Sequence, residues 1–268
     1  MTIVSKVKFE NNLKKTILDA VNEVGGFGQF ISAGDVVLLK PNFNTADPFP
    51  ASSDPEFIKA VVELVYGYGA KIVIVGDSST MSLNTRKVME KLKIFDLENM
   101  EKPPRIYVFE DRKWIDKEIP EGKYLKNVSV TELLAHADKL ILLPCLKTHA
   151  YAQFTGSLKL SMGFVKPFQR VRMHMKNLQE KIAELNKIIN PDLIIMDARK
   201  CFINKGPAEG ELREPGLILA STDRVAIDIE GIKIIQSFGG NSLKDIDPLK
   251  LPQIKKAIEI GILPKMNH

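Results

Sequence analysis

Between Cys145 and Lys159 the chain carries a thiol, two lysines, a histidine and a run of hydroxyls: Cys145, Lys147, Thr148, His149, Tyr151, Thr155, Ser157 and Lys159. Lysines beside hydroxyls and loop amides suit a carboxylate or phosphate. A histidine among them adds a proton donor or acceptor that works near neutral pH. The stretch follows the apolar run Leu140–Leu143, which Pro144 stops. An apolar strand emptying into a basic loop is how an open α/β sheet places a ligand, outside the carboxyl ends of its strands.

The same arrangement recurs along the chain. Val36–Leu39 ends in Lys40-Pro41-Asn42-Phe43-Asn44, and Ile72–Val75 ends in Gly76-Asp77-Ser78-Ser79. Leu193–Met196 ends in Asp197, followed by a polar loop with Lys205-Gly206-Pro207 and Gly210. Short unbroken apolar runs suit central strands buried on both faces. In a parallel sheet their polar ends converge, which makes His149, Lys147 and Asp77 the candidate catalytic groups. Lys40, Asn42, Ser78, Lys159, Asp197, Gly206, Gly210 and Asp228 are the candidate ligand-binding groups.

Each residue also has a plainer reading. Lysines at strand ends are commonly solvated, and Asp77 or Asp197 could close turns or cap helices. Asp228 lies within an apolar helical pattern with Val225, Ile229 and Ile232, so it either faces solvent or pairs with a lysine of the site. Cys145 reads as packing rather than as a nucleophile. His174 reads as a boundary residue of an amphipathic helix, and His136 lies at the wrong end of its strand. His268 is terminal and sets nothing. His149 is the one candidate metal ligand, but no ligand spacing surrounds it, so no metal is assigned.

Helices must connect these strands. The spacing predicts helices over residues 10–24, 57–66 (Ser53 or Asp54 as cap, Pro55 first), 87–97, 130–137 and 170–190, then 223–236 (capped by Ser221 or Thr222) and 251–261. Arg105–Phe109 and Lys113–Ile119 read as short strands, a small antiparallel excursion around 105–120. The expected fold is therefore α/β: a three-layer, open, mostly parallel sheet with helices on both faces. No repeat, low-complexity tract or linker divides the chain, which predicts a single domain over 1–268 with 81–135 as a lid or subdomain.

The 268 residues carry a net charge of +5, with 44% hydrophobic and 26% charged residues. That balance favours anionic partners, but the charge is spread rather than striped, and no basic–aromatic repeat points to nucleic acid. Two cysteines cannot hold an iron–sulfur cluster by themselves. No apolar run approaches the ~20 residues that span a bilayer, and the N-terminus lacks a secretory core, so a cytoplasmic protein is expected.

Taken in order, LLKPNFN (38–44), SSDPEFIKAVVELV (52–65), AKIVIVGDSS (70–79), ADKLILLPCLKTH (137–149), SLKLSMG (157–163), DLIIMDARKCFINKGPAEG (192–210) and GLILASTDRVAIDIEG (216–231) resemble the family called domain of unknown function 362. The resemblance spans nearly the whole chain. It implies Lys40, Asn42, Asp77, Lys147, His149, Lys159, Asp197, Gly206, Pro207, Gly210, Asp223 and Asp228 as the family's polar motif positions. In that family Lys-Asn precedes Met-Gly, whereas this chain has Lys159-Leu160-Ser161-Met162-Gly163, leaving a polar position apolar. The resemblance also implies that many relatives carry an appended ferredoxin-like module with iron–sulfur clusters; two cysteines are too few for one, so no such module is expected within these residues.

The expected function is binding of a small anionic metabolite at the carboxyl edge of the sheet, with proton transfer or isomerisation as the chemistry and His149 as the proton-transfer group. The alternative is a non-catalytic module that works with a separate ferredoxin-like, iron–sulfur partner.

Overall fold

The computed structural model describes residues 3–262, so His268 lies outside the described residues. Among the described residues, twelve strands and ten α-helices follow one another. β1 (Ser5–Lys8) leads into α1 (Leu13–Asn22) and α2 (Phe27–Phe30), then β2 (Val36–Lys40), α3 (Pro55–Gly67), β3 (Ile72–Asp77) and α4 (Thr85–Lys91). The middle of the chain holds β4 (Arg105–Val108), β5 (Trp114–Glu118), β6 (Asn127–Thr131), α5 (Leu133–His136), β7 (Lys139–Leu142), β8 (Cys145–His149), β9 (Gln153–Thr155) and α6 (Ser157–Leu160). The last third holds α7 (Pro167–His174), α8 (Leu178–Leu185), β10 (Leu193–Phe202), β11 (Leu212–Arg213), β12 (Leu217–Ser221), α9 (Arg224–Gln236) and α10 (Pro252–Glu259).

The main sheet runs β1-β12-β10-β7-β2-β3-β4. From β10 to β4 every neighbour is parallel; β12 and β1 are antiparallel at the far edge. β8 continues from β7 past Pro144 and pairs with both β10 and β9. Side chains alternate across this sheet as strand geometry requires. Leu38, Leu140, Leu142, Ile194 and Met196 meet α8, α9 and α10 on one face. Val37, Leu39, Val73, Val75 and Ile195 meet α1, α2 and α3 on the other. The expected three-layer α/β architecture is present.

Several local expectations differ. β4 is not part of an antiparallel excursion: it adds in parallel to β3, and the small antiparallel pair is β5 with β6. Residues 127–131 are strand rather than helix, because Val128 and Val130 alternate with polar neighbours at period two. The helix expected over 170–190 is two helices, parted where Asn177 takes a left-handed φ of 53°, a conformation asparagine tolerates. Met175, which stands at helical spacing from Leu178 and Ile182 in the sequence, is 80% exposed. The residue whose side chain caps α9 is Asp223, which accepts from Val225 and Ala226 N–H. Asp54 caps α3 with Pro55 in its first turn, as the sequence indicates.

Candidate functional site

The carboxyl ends of β2, β3 and β8 open into one cavity of about 380 Å³. Lys40, Asn42, Asp77, Ser78, Lys147, His149 and Lys159 all line it. Thr155, Leu160, Gly163, Arg170, His174 and Pro207 add to the wall.

Lys40 and Asp77 are the last residues of β2 and β3. Their side chains form a 2.6 Å ion pair, 1% and 3% exposed. Lys40 Nζ also donates to the carbonyl of Pro41 at 2.6 Å. Asp77 accepts from the backbone N–H groups of Phe43 (2.6 Å) and Ser78 (2.7 Å). Burial lowers the Lys40 pKa and Asp77 pulls it back up. Gly163 packs directly over this pair; a Cβ there would meet Lys40 Nζ at 2.7 Å.

Lys147 projects from β8 into an interior site where it is 1% exposed. Its amine donates to the carbonyls of Pro50 (3.3 Å) and Ala51, two neutral acceptors. Burial lowers its pKa to about 8. Facing it across the β8–β9 ladder is Thr155. The Thr155 Oγ1 is buried without a hydrogen-bond partner.

His149 ends β8. Its Nδ1 accepts from the N–H groups of Tyr151 (3.0 Å) and Ala152 (3.1 Å). A nitrogen that accepts two backbone hydrogen bonds carries no proton, so in the neutral ring the proton sits on Nε2. Burial, then the charges of Lys159, His174 and Lys147, drive its pKa far below the usual histidine range. The ring is thus held as a neutral hydrogen-bond donor. With Nδ1 engaged by these two amides, the group His149 has left to offer is its Nε2–H.

Lys159 rides on α6, a single turn fixed from behind by Asp228. The Asp228 carboxylate accepts from Ser157 N–H (2.6 Å) and Leu158 N–H (3.0 Å). Asp228 is 0% exposed and does not line the cavity, so it does not face solvent, and among the described residues no lysine pairs with it. It supplies the acceptors that are missing at a helix start, where backbone N–H groups lack partners. Lys159 itself is half-buried, and burial together with the nearby charges of Lys147 and Arg170 lowers its pKa to about 7.

Arg170, on α7, was not singled out from the sequence. Its Nη1 donates to Ser78 O (2.8 Å) and its Nη2 to Ser78 Oγ (2.6 Å). Its Nε is buried without a partner. Ser78 Oγ passes the chain on to Glu110 at 2.8 Å. Arg170 and Met173 are both buried on one face of α7; that i, i+3 spacing was the available signal.

The structure places the other candidates elsewhere. Asp197 lies mid-strand in β10, paired at 2.7 Å with Arg199, which also holds Asp54 at 2.7 Å. Gly206 does not line the cavity but backs it, its N–H donating to Thr148 Oγ1 at 3.2 Å, and the next residue, Pro207, reaches the wall. Gly210 packs against Asn204 and Phe202 away from the cavity. Cys145 is buried, 3.6 Å from Ser53 Oγ, and burial pushes its thiol up to about 11. Among the described residues no three His, Cys, Asp or Glu side chains cluster as metal ligands.

An α/β protein with a basic cavity at the carboxyl edge of its sheet is the class this geometry defines. The chain belongs to the family described as Domain of unknown function (DUF362), whose profile matches residues 37–233. It is similar to the thylakoid-associated protein sll1697 of Synechocystis sp. (strain ATCC 27184 / PCC 6803 / Kazusa), 29% identical over 261 residues, covering 94% of this chain and 76% of that one. The lactate racemase apoprotein of Thermoanaerobacterium thermosaccharolyticum aligns over 87% of this chain and 63% of its own, with 9% identity and a TM-score of 0.49. A Thermotoga maritima crystal structure aligns over 92% and 58%, with 12% identity and a TM-score of 0.44. The chain therefore spans less than two thirds of either structure. Among the described residues no helix is long and apolar enough to cross a membrane.

Proposed function

We propose that this cavity binds a small anionic metabolite, a carboxylate or phosphate, in the cytoplasm and moves a proton on it. One observation carries the reading. Among the described residues, four cationic side chains, Lys40, Lys147, Lys159 and Arg170, line a cavity whose one lining carboxylate, Asp77, is already paired with Lys40. Lys147 and Arg170 hold the anion in place of the neutral oxygens they now contact. His149 Nε2–H donates to the oxygen on which negative charge develops, a task a neutral imidazole performs well. Lys159 takes and returns the proton, since a base poised near the working pH is the efficient one. Asp77 fixes Lys40 rather than reacting.

An anion that draws lysines back to their charged form takes up protons as it binds. Isothermal titration with phosphate in buffers of different ionisation enthalpy measures that uptake. Binding with net proton uptake near pH 8, lost in Lys147→Met and Arg170→Met, is the expected result. Binding unchanged in both variants overturns the reading.

The partner reading has its own observation. From residue 164 to residue 179 the chain carries Lys166, Arg170, Arg172 and Lys176 and no acidic residue. Phe168, Val171 and Met175 stand out from the same segment, 67%, 38% and 80% exposed, beside the cavity mouth. A basic helix with an apolar stripe fits an acidic protein surface, such as that of a ferredoxin-like iron–sulfur protein. Salt-sensitive association with an acidic ferredoxin, abolished by Arg172→Glu with Lys176→Glu, supports it; no association at low salt removes it.

A further inference from the structure

We propose that Lys159 is a carbonyl-reactive amine: the cavity takes short oxo acids, molecules with a ketone or aldehyde beside a carboxylate, and joins the carbonyl carbon to Lys159 Nζ as an imine. This deepens the anion-binding reading of the same cavity and rests on it.

The three lysines of the cavity differ in what holds them. Lys40 Nζ is held by Asp77 and Pro41 O. Lys147 Nζ is occupied by Pro50 O and Ala51 O. Among the described residues no oxygen accepts a hydrogen bond from Lys159 Nζ and no carboxylate pairs with it; its charged neighbours are Lys147 and Arg170, both repelling. A lysine desolvated beside other cations is the arrangement that frees an amine for attack on a carbonyl. An ordinary lysine at pH 7 is free amine in only roughly one molecule in 2,500, whereas here the pKa falls to about 7.

The other groups fit the remaining parts of such a substrate. Arg170 and Lys147 suit the carboxylate, and the unpartnered Arg170 Nε and Thr155 Oγ1 supply donors that nothing else uses. His149 Nε2–H suits the carbonyl oxygen. In the step itself the Lys159 lone pair forms the N–C bond as the carbonyl π pair moves onto oxygen, which His149 stabilises by donating a hydrogen bond. A proton passes from the attacking nitrogen to that oxygen. Protonation of the resulting hydroxyl by the Lys147 ammonium then releases water and leaves the protonated imine, with Lys147 now the neutral amine; return of that proton to Lys147 gives the neutral imine. Amine and carbonyl give imine and water, with no change of oxidation state. The protonated imine withdraws electrons from the adjacent carbon, which makes its C–H acidic; with Lys159 bound in the imine, the neutral Lys147 amine takes over from it as the base that accepts that proton.

The test is borohydride trapping with pyruvate and 2-oxoglutarate, using lactate and 2-hydroxyglutarate as controls without a carbonyl. Calorimetry on all four acids runs alongside. The expected result is binding by both kinds of acid and, with the oxo acids alone, a mass gain equal to the acid less one oxygen. Peptide mapping of the unmutated protein should place that gain on Lys159, and Lys159→Arg should abolish it while melting within a few degrees of the parent. Oxo acids that bind but leave no adduct, or an adduct that persists in Lys159→Arg, overturn the imine and leave anion binding standing. Failure of every acid and of phosphate to bind overturns both.

Discussion

Lys40 and Asp77 close the ends of two neighbouring parallel strands with one 2.6 Å ion pair whose side chains are only 1% and 3% exposed. Breaking a buried pair leaves an uncompensated charge, a larger loss than removing both partners. Asp77→Asn should therefore lower stability by about 3–5 kcal/mol, read by urea unfolding. Lys40→Met placed on top of Asp77→Asn should recover part of that loss. A double variant less stable than the single one would mean that the pair acts as two independent groups.

Gly163 presses on the same pair, so Gly163→Ala forces either the glycine backbone or the ion pair to move. The cost should be about 1–3 kcal/mol, as for other overpacked interiors. Thermal melting checks it, and no change in Tm would show that Lys40 can yield.

The titration of the protein follows from its lysines. Lys147 and Lys159 have folded-state pKa values of about 8 and about 7, against an ordinary 10.5. Between those values the unfolded chain binds more protons than the folded one, so stability rises with pH. The melting temperature should climb from pH 7 to pH 9. Saturating phosphate should flatten the climb by holding both amines charged. A Tm that falls over this range contradicts the lowered lysines.

His149 separates two roles that one substitution would blur. His149→Phe deprives the Tyr151 and Ala152 N–H groups of their acceptor and should cost about 1–3 kcal/mol. His149→Asn can keep an acceptor there, so it should melt closer to the parent. It should still weaken phosphate binding, having lost the Nε2–H. In the parent, nitrogen chemical shifts should report the Nε2–H tautomer throughout the neutral range. An imidazolium signal near pH 6 would refute the neutral donor.

Asp228 never touches the cavity, yet it anchors the turn that carries Lys159. Asp228→Ala should weaken phosphate binding about tenfold, comparable to losing one charge-assisted hydrogen bond. Asp228→Asn should fall between Ala and the parent. Equal binding by all three would free Lys159 from its anchor.

What the sequence reveals, and what it hides, follows the range of each interaction. β2, β3 and β7 are legible because strands buried on both faces are written as unbroken apolar runs. Their direction is not: Leu217–Ser221 reads the same way and yet runs antiparallel to β10. β1 escapes notice because its four residues, SKVK, form an edge strand with alternating charge. Lys40, Lys147, His149 and Lys159 are legible because each follows an apolar run or its loop. Arg170 is hidden, since its meaning lies in Ser78, and these two residues, on α7 and just past β3, meet only in the folded protein. Asp228 shows its burial in the helical pattern but not its partners, Ser157 and Leu158.

The strand order has a consequence for assembly. Neighbours in the sheet are distant in the chain: β2 lies between β3 and β7, and β7 lies beside β10. Parallel, long-range pairing of this kind is slow to form, because loop closure must precede the contacts that reward it. The cavity draws its wall from Lys40 through to Pro207, so it exists only once these closures are complete. No early hairpin or helical fragment can present it. A bound anion thus discriminates the finished chain from every compact precursor, and its capture during refolding marks the last event rather than the first.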